Sequence, residues 1–142
     1  MSGITETLSA DHKRCDALFA EAEAAISESN WDEGGQALSD FIGGMNHHFK
    51  MEEEVMFPAF ENKTGMTMGP TQMMRSEHEQ MRELFADLEA AAKEKDADEV
   101  LGLCETLLMI MQQHNSKEEQ MLYRMADEVL PGAEVVSEMQ AI

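Results

Sequence analysis

Apolar residues recur along this chain at steps of three and four, and at two matching places a histidine and a glutamate interrupt the stripe. Val100, Cys104, Leu107 and Met111 step by 4, 3 and 4, and the same rhythm lands on His114 and Glu118 before resuming at Met121 and Met125. Leu38, Phe41 and Met45 step by 3 and 4, land on His48 and Glu52, and continue to Val55. Residues at these spacings share one face of an α-helix. Two further stripes run through Leu8, His12, Cys15, Phe19, Ala22 and Ile26, and through Thr71, Met74, His78, Met81, Phe85, Leu88 and Ala92. Each stripe carries one inward histidine, whereas His47 falls off its stripe.

The stripes predict four helices, over about 9–29, 32–62, 70–95 and 98–130, followed by a loosely docked C-terminal tail. Ser9 can cap the first and Asp32 the second, Pro70 suits the first turn of the third, and Asp96 or Asp98 opens the fourth. Pro58 should kink the second helix or end it locally, and Pro131-Gly132 should stop the fourth. Helices of this length joined by short connections make an up-down-up-down antiparallel four-helix bundle. The expectation is an all-α, single-domain chain spanning residues 1–142.

Composition agrees, with 6% aromatics and only three prolines among 142 residues. The formal net charge is −19. A field of that sign repels nucleic-acid phosphates and anionic membranes and attracts cations. No apolar stretch approaches the roughly 18 residues of a membrane span, and no basic leader precedes an apolar run. A soluble, cytoplasmic protein is expected, binding neither nucleic acid nor membrane. Cys15 and Cys104 belong to no Cys-x-x-Cys pair and read as reduced, packed thiols.

Ionisable groups are almost never buried unless something pairs with them. One histidine on an apolar face is ordinarily a hydrogen-bonded core residue. Four at matching positions, two of them stacked with glutamate, need more, because each unpaired buried ion costs several kcal/mol. His12, His48, Glu52, His78, His114 and Glu118 therefore read as metal ligands. Imidazole with carboxylate suits iron, manganese or zinc, whereas calcium and magnesium favour oxygen alone. Six ligands are too many for one tetrahedral zinc, but two ions bridged by both carboxylates would use all six. The Glu-x-x-His spacing of ferritin-like bundles does not occur. Without metal, the two glutamates should have raised pKa values through desolvation and mutual repulsion.

At these residues the chain resembles the hemerythrin-like, or HHE cation-binding, family. His48-Phe49-Lys50-Met51-Glu52-Glu53 reads like its His-Phe-x-x-Glu-Glu signature, followed by Met56-Phe57-Pro58. Asp11-His12, Glu77-His78-Glu79-Gln80-Met81-Arg82 and His114-x-x-Lys117-Glu118-Glu119 match its other segments in order. The resemblance covers about residues 9 to 130. It implies an up-down four-helix bundle holding two non-haem iron ions with an oxo or hydroxo bridge. His12, His48, His78 and His114 would be terminal ligands, and Glu52 and Glu118 bridging carboxylates. The ligand acted on would be oxygen, nitric oxide or peroxide; iron handling or iron sensing is the alternative.

One departure stands out. Oxygen-carrying hemerythrin places a further histidine one turn after the third-helix histidine, where this chain has Arg82. Asp16, Cys15 or Tyr123 could replace that ligand, or Asp16 could pair with Arg82. Simple reversible oxygen carriage is therefore not the expectation, and no general acid/base pair stands out beyond the ligands. Met45, Met81, Met111 and Met121 would line the pocket. A rival of another class is a metal-free interaction or phosphotransfer bundle: His114-Asn115-Ser116-Lys117 fits most of a His-x-x-Lys-Gly motif, with Glu118 in place of the glycine. That chemistry needs an exposed histidine.

Overall fold

The computed structural model describes residues 3–142. It is all-helical, a four-helix bundle with no strand among the described residues. Helix α1 spans Ile4–Ser27 and α2 Trp31–Met51; a π turn, Glu52–Met56, joins α2 to α3, Phe57–Thr64. Helix α4 spans Pro70–Lys93 and α5 Ala97–Lys117; a second π turn, Glu118–Leu122, joins α5 to α6, Tyr123–Val129. A last helix, α7, spans Gly132–Gln140. The main packing is α1 on α2 and α4 on α5, with α1 also against α5 and α2 against α4. No helix is long and apolar enough to cross a membrane.

The two helical hairpins turn the same way. Two residues beyond α1 stands Ser29 at φ 61°, and two beyond α4 stands Lys95 at φ 55°, left-handed residues that close helix C-termini. In each case the next residue accepts the chain back. The amide of Asn30 donates to the Ala25 carbonyl and that of Asp96 to the Ala91 carbonyl. Their side chains then cap the following helix, Asn30 accepting from Glu33 N–H and Asp96 from Glu99 N–H. A shift of 66 residues carries Asn30 onto Asp96, His12 onto His78, His48 onto His114 and Glu52 onto Glu118. The bundle is thus two related hairpins, each ending in a π turn.

Three sequence expectations are corrected. Helix α1 begins at Ile4, not near Ser9, because its first turn is capped from the far end of the chain: the Asp127 carboxylate accepts from Ile4 N–H at 2.7 Å and Thr5 N–H at 3.0 Å. Local sequence cannot reveal a cap 123 positions away. The tail is not loose; α7 buries Val135, Val136 and Met139 against the bundle end, beside Ile4 and Leu8. Finally, the apolar rhythm slips at each π turn, where hydrogen bonds run from i to i+5 instead of i+4. After Glu118 the buried residues are Leu122, Tyr123 and Ala126, while Met121 is 55% exposed and lies off the buried face, not beside the inward histidines. After Glu52 they are Met56, Phe57 and Phe60 rather than Val55.

Pro58 sits just beyond the first π turn, and the helix runs on to Thr64, where Gly65 at φ 74° ends it. In a π turn the Glu53 carbonyl would accept from residue 58. Pro58 has no N–H to give, and the Arg75 guanidinium reaches that carbonyl at 3.5 Å instead. Two apolar clusters fill the bundle: Phe19, Phe41, Phe85, Leu88, Leu107 and neighbours at the hairpin-turn end, and Leu8, Met56, Phe60, Leu122 and neighbours at the other. Cys15 and Cys104 are free and lie in the former, with burial raising their thiols to about 11 and about 12. Between the two clusters lies a polar layer.

Candidate metal centre

That layer consists of His12, His48, Glu52, His78, His114 and Glu118, all buried, so the structure brings together every one of the six residues singled out. The histidines form two pairs, His12 with His48 at 4.5 Å between ring centroids and His78 with His114 at 5.0 Å. The glutamates lie between them. Glu118 Oε1 is 3.2 Å from His12 Nε2 and 3.1 Å from His114 Nε2. Glu52 Oε1 is 3.1 Å from His78 Nε2 and 3.6 Å from His48 Nε2. Two groups have donor atoms within 4.8 Å of one another: Glu52, His78, His114 and Glu118, and His12, His48 and Glu118.

The outer nitrogen of every ring is claimed by a carboxylate on the neighbouring helix. Asp11 on α1 holds His48 Nδ1 at 2.8 Å, Glu53 holds His78 at 2.7 Å, Glu77 on α4 holds His114 at 2.7 Å, and Glu119 holds His12 at 2.6 Å. The four bonds run in a ring around the bundle. Accepting from Nδ1–H fixes the tautomer and aims each Nε2 lone pair inward. His78 is further clamped by Phe49, stacked at 3.8 Å, and Phe57 at 5.7 Å. The orienting carboxylates each sit next in sequence to a residue of the centre. A side chain one position on is rotated by about 100° and so faces the adjacent helix. An acidic neighbour beside each inward residue was therefore a legible signal that the reading by stripes passed over.

Four inward atoms, Glu52 Oε1, His78 Nε2, His114 Nε2 and Glu118 Oε2, are buried without a hydrogen-bond partner. An Nε2 lone pair facing a carboxylate oxygen at 3.1 Å, with no proton between, is repulsive. Buried polar groups left in that state are expensive, and a cation among them satisfies all four at once. The donor set fits a metal.

A family model described as the hemerythrin HHE cation binding domain matches residues 3–126. The chain belongs to that family. No curated protein and no solved structure matches it. Hemerythrin HHE domains bind cations, and the buried His–Glu layer is where this bundle can hold one.

Left without a cation, the hemerythrin-like layer would hold protons instead. Burial lowers the His48 pKa, but Glu52 and Asp11 outweigh it and raise His48 to about 10. His114 is raised to about 9, against the effect of burial, by Glu118, Glu52 and Glu77. The Glu52 carboxyl goes the opposite way from the sequence expectation: burial raises it, but the charge and hydrogen bonds of His48 and His78 hold it well below the usual range. A hydrogen bond with Glu118 lowers Glu52 further, where repulsion between the two carboxylates was expected.

The structure also separates the candidates for the family's further ligand. Arg82 does not point into the centre, nor does it pair with Asp16. Its guanidinium clasps Glu53 at 2.7 and 3.1 Å, bonds Glu79, and lies 5.2 Å over Phe49. It thereby pins the carboxylate that orients His78. Cys15 is packed in the apolar cluster, and Asp16 lines an outer cleft. Tyr123 alone reaches the middle. Its hydroxyl is 2.6 Å from Glu52 Oε2, 2.8 Å from Glu118 Oε1, and 3.2 Å from both His12 Nε2 and His48 Nε2. The π turn puts it there, five residues after Glu118 and one position beyond where an unbroken helix would face inward.

Proposed function

We propose that this chain is a non-haem di-iron protein that binds or reacts with oxygen, nitric oxide or peroxide. The observation that carries the reading is the pair of two-histidine clusters facing each other across two buried carboxylates with unpaired inward atoms. His12 and His48 would hold one ion, His78 and His114 the other, and Glu52 and Glu118 would bridge. Two irons held there would supply redox and Lewis-acid chemistry toward such a small ligand. The chain's own residues do the rest: the Nδ1 partners orient the ligands, and the apolar clusters above and below exclude water. The phosphotransfer rival has no support, because His114 is 1% exposed and a partner protein cannot reach it.

Protein purified from iron-replete cells should contain two irons per chain by elemental analysis. One zinc, or less than half a metal per chain, would overturn the reading. Tyr123 extends it. Burial and the charges of Glu118 and Glu52 keep its phenol protonated in the metal-free layer. A cation at His12 and His48 would reverse that balance and allow the phenolate to serve as a further ligand on that side of the centre, opposite the side where the family's missing histidine would have stood. The ferric protein should then show a phenolate-to-iron charge-transfer band that Tyr123→Phe removes. An unchanged visible spectrum in that variant would exclude Tyr123 as a ligand.

A further inference from the structure

The four carboxylates that orient the histidines are not held alike. Asp11 is paired with Arg14 at 2.9 Å, Glu53 with Arg82, and Glu77 with Lys117. The Glu119 carboxylate has no Lys or Arg partner among the described residues: its one ion-pair contact is His12 itself, and Arg124 bonds only the Glu119 backbone carbonyl, at 3.1 Å. Its side chain is 40% exposed, against 17% for Asp11, 21% for Glu53 and 19% for Glu77. The 66-residue shift that relates the hairpins shows why. Glu53 corresponds to Glu119 and His78 to His12, but Arg82, which pins Glu53, corresponds to Asp16. Where the second hairpin supplies Arg82 to clamp Glu53, the first supplies a like charge, Asp16, beside Glu119.

Glu119 and Asp16 both line a cleft of about 510 Å³ between α1 and α5, whose walls include Ala20, Glu23, Gln112 and Ser116. It contains no Lys or Arg. On the other hairpin, Arg82 lies across the corresponding approach, bonded to Glu53 and stacked on Phe49. One histidine therefore stands behind an unclamped carboxylate at the floor of an open, acidic cleft, and its counterpart stands behind a bidentate ion pair.

We propose that Glu119 is a gate: it swings away from His12 into the α1–α5 cleft, and cations enter and leave the centre by that route, so the ion at His12 and His48 exchanges first. Asp16 keeps the gate mobile by repelling Glu119, where an arginine would lock it. The proposal rests on the two-ion reading above. It makes Glu119 and Asp16 positioning residues that set which half of the centre is labile.

The test is release of ferrous iron to an excess of a coloured chelator, under anaerobic conditions, from protein first shown to contain two irons per chain. Wild type should lose one ion at least about tenfold faster than the other, the size of effect that loss of an orienting partner has at metal-ligating histidines. Glu119→Gln should speed the fast phase alone. Asp16→Arg should slow it by about the same factor, and Arg82→Asp should quicken the slow phase. Ala20→Trp, which fills the cleft without touching a ligand, should slow the fast phase even if the charge variants misfold. A single release phase in wild type, or a fast phase indifferent to both Asp16→Arg and Ala20→Trp, overturns the gate while leaving the two-ion reading intact. Protein that never holds two irons fails the reading itself.

Discussion

Glu118→Ala should leave the protein with at most one iron per chain. Glu118 belongs to both groups of converging donors, and its Oε1 lies within 3.2 Å of one histidine from each pair. Removing it strips a ligand from both positions and takes away the negative charge that lets two cations sit close together. It also leaves His114 Nε2 and the Tyr123 hydroxyl facing a void. Glu52→Ala should likewise lose most of the second ion, since Glu52 faces the opposite histidine of each pair. His47→Ala should keep both, because His47 is exposed and belongs to neither group of donors. Iron content of the three purified variants decides the matter. If His47→Ala loses as much iron as the glutamate variants, the assignment of the inward face is wrong.

Chelation should lower the melting temperature, and by more at alkaline than at mildly acidic pH. A ligand held at about a thousand times its dissociation constant adds roughly 4 kcal/mol to the folded state. At about 4 °C per kcal/mol for a chain of this size, that is a loss of roughly 15 °C. The pH dependence follows from what replaces the metal. His48 and His114, ordinarily near 6.5, rise to about 10 and about 9 in the metal-free fold. Their protonation therefore stabilises the fold fully below about 6.5, and that contribution fades as pH rises through 9 and 10. Asp11 and Glu53 are held down at about 2, mainly by hydrogen bonds from His48 and His78 that overcome burial. Their contribution is complete above about pH 4.5 and disappears as pH falls through 2. The metal-free protein should thus be most stable between about pH 5 and 6.5. Metal binding strengthens over the same rise in pH, because protons compete for the imidazoles. The gap between loaded and stripped protein should widen from pH 6 to 9. A melting temperature unaffected by confirmed metal loss, or a gap that narrows over that range, would contradict this account.

What the sequence determined by itself is the inward face of each long helix. Stripes at steps of three and four depend only on helical geometry, so Leu38 to Glu52 and Val100 to Glu118 could be read without any knowledge of neighbours, and all six inward His and Glu lie where the stripes put them. The chemistry of those six followed from the cost of burying such groups unpaired. Tertiary structure decided everything that needs two distant segments to meet. Asp127 starts α1 five residues before Ser9 because a cap works through space. The ten-residue tail becomes α7 because the open end of the bundle offers Val135, Val136 and Met139 a surface to cover. Each π turn is set where a buried glutamate and the following aromatic must both face inward, Glu52 with Phe57 and Glu118 with Tyr123, and a regular helix can present only one of each pair. That slip moves Met121 out and Tyr123 in. Arg82 was legible as a departure, but its role was not, because the carboxylate it clasps lies on another helix. Periodicity is a property of one helix, whereas a site is a property of how several helices meet.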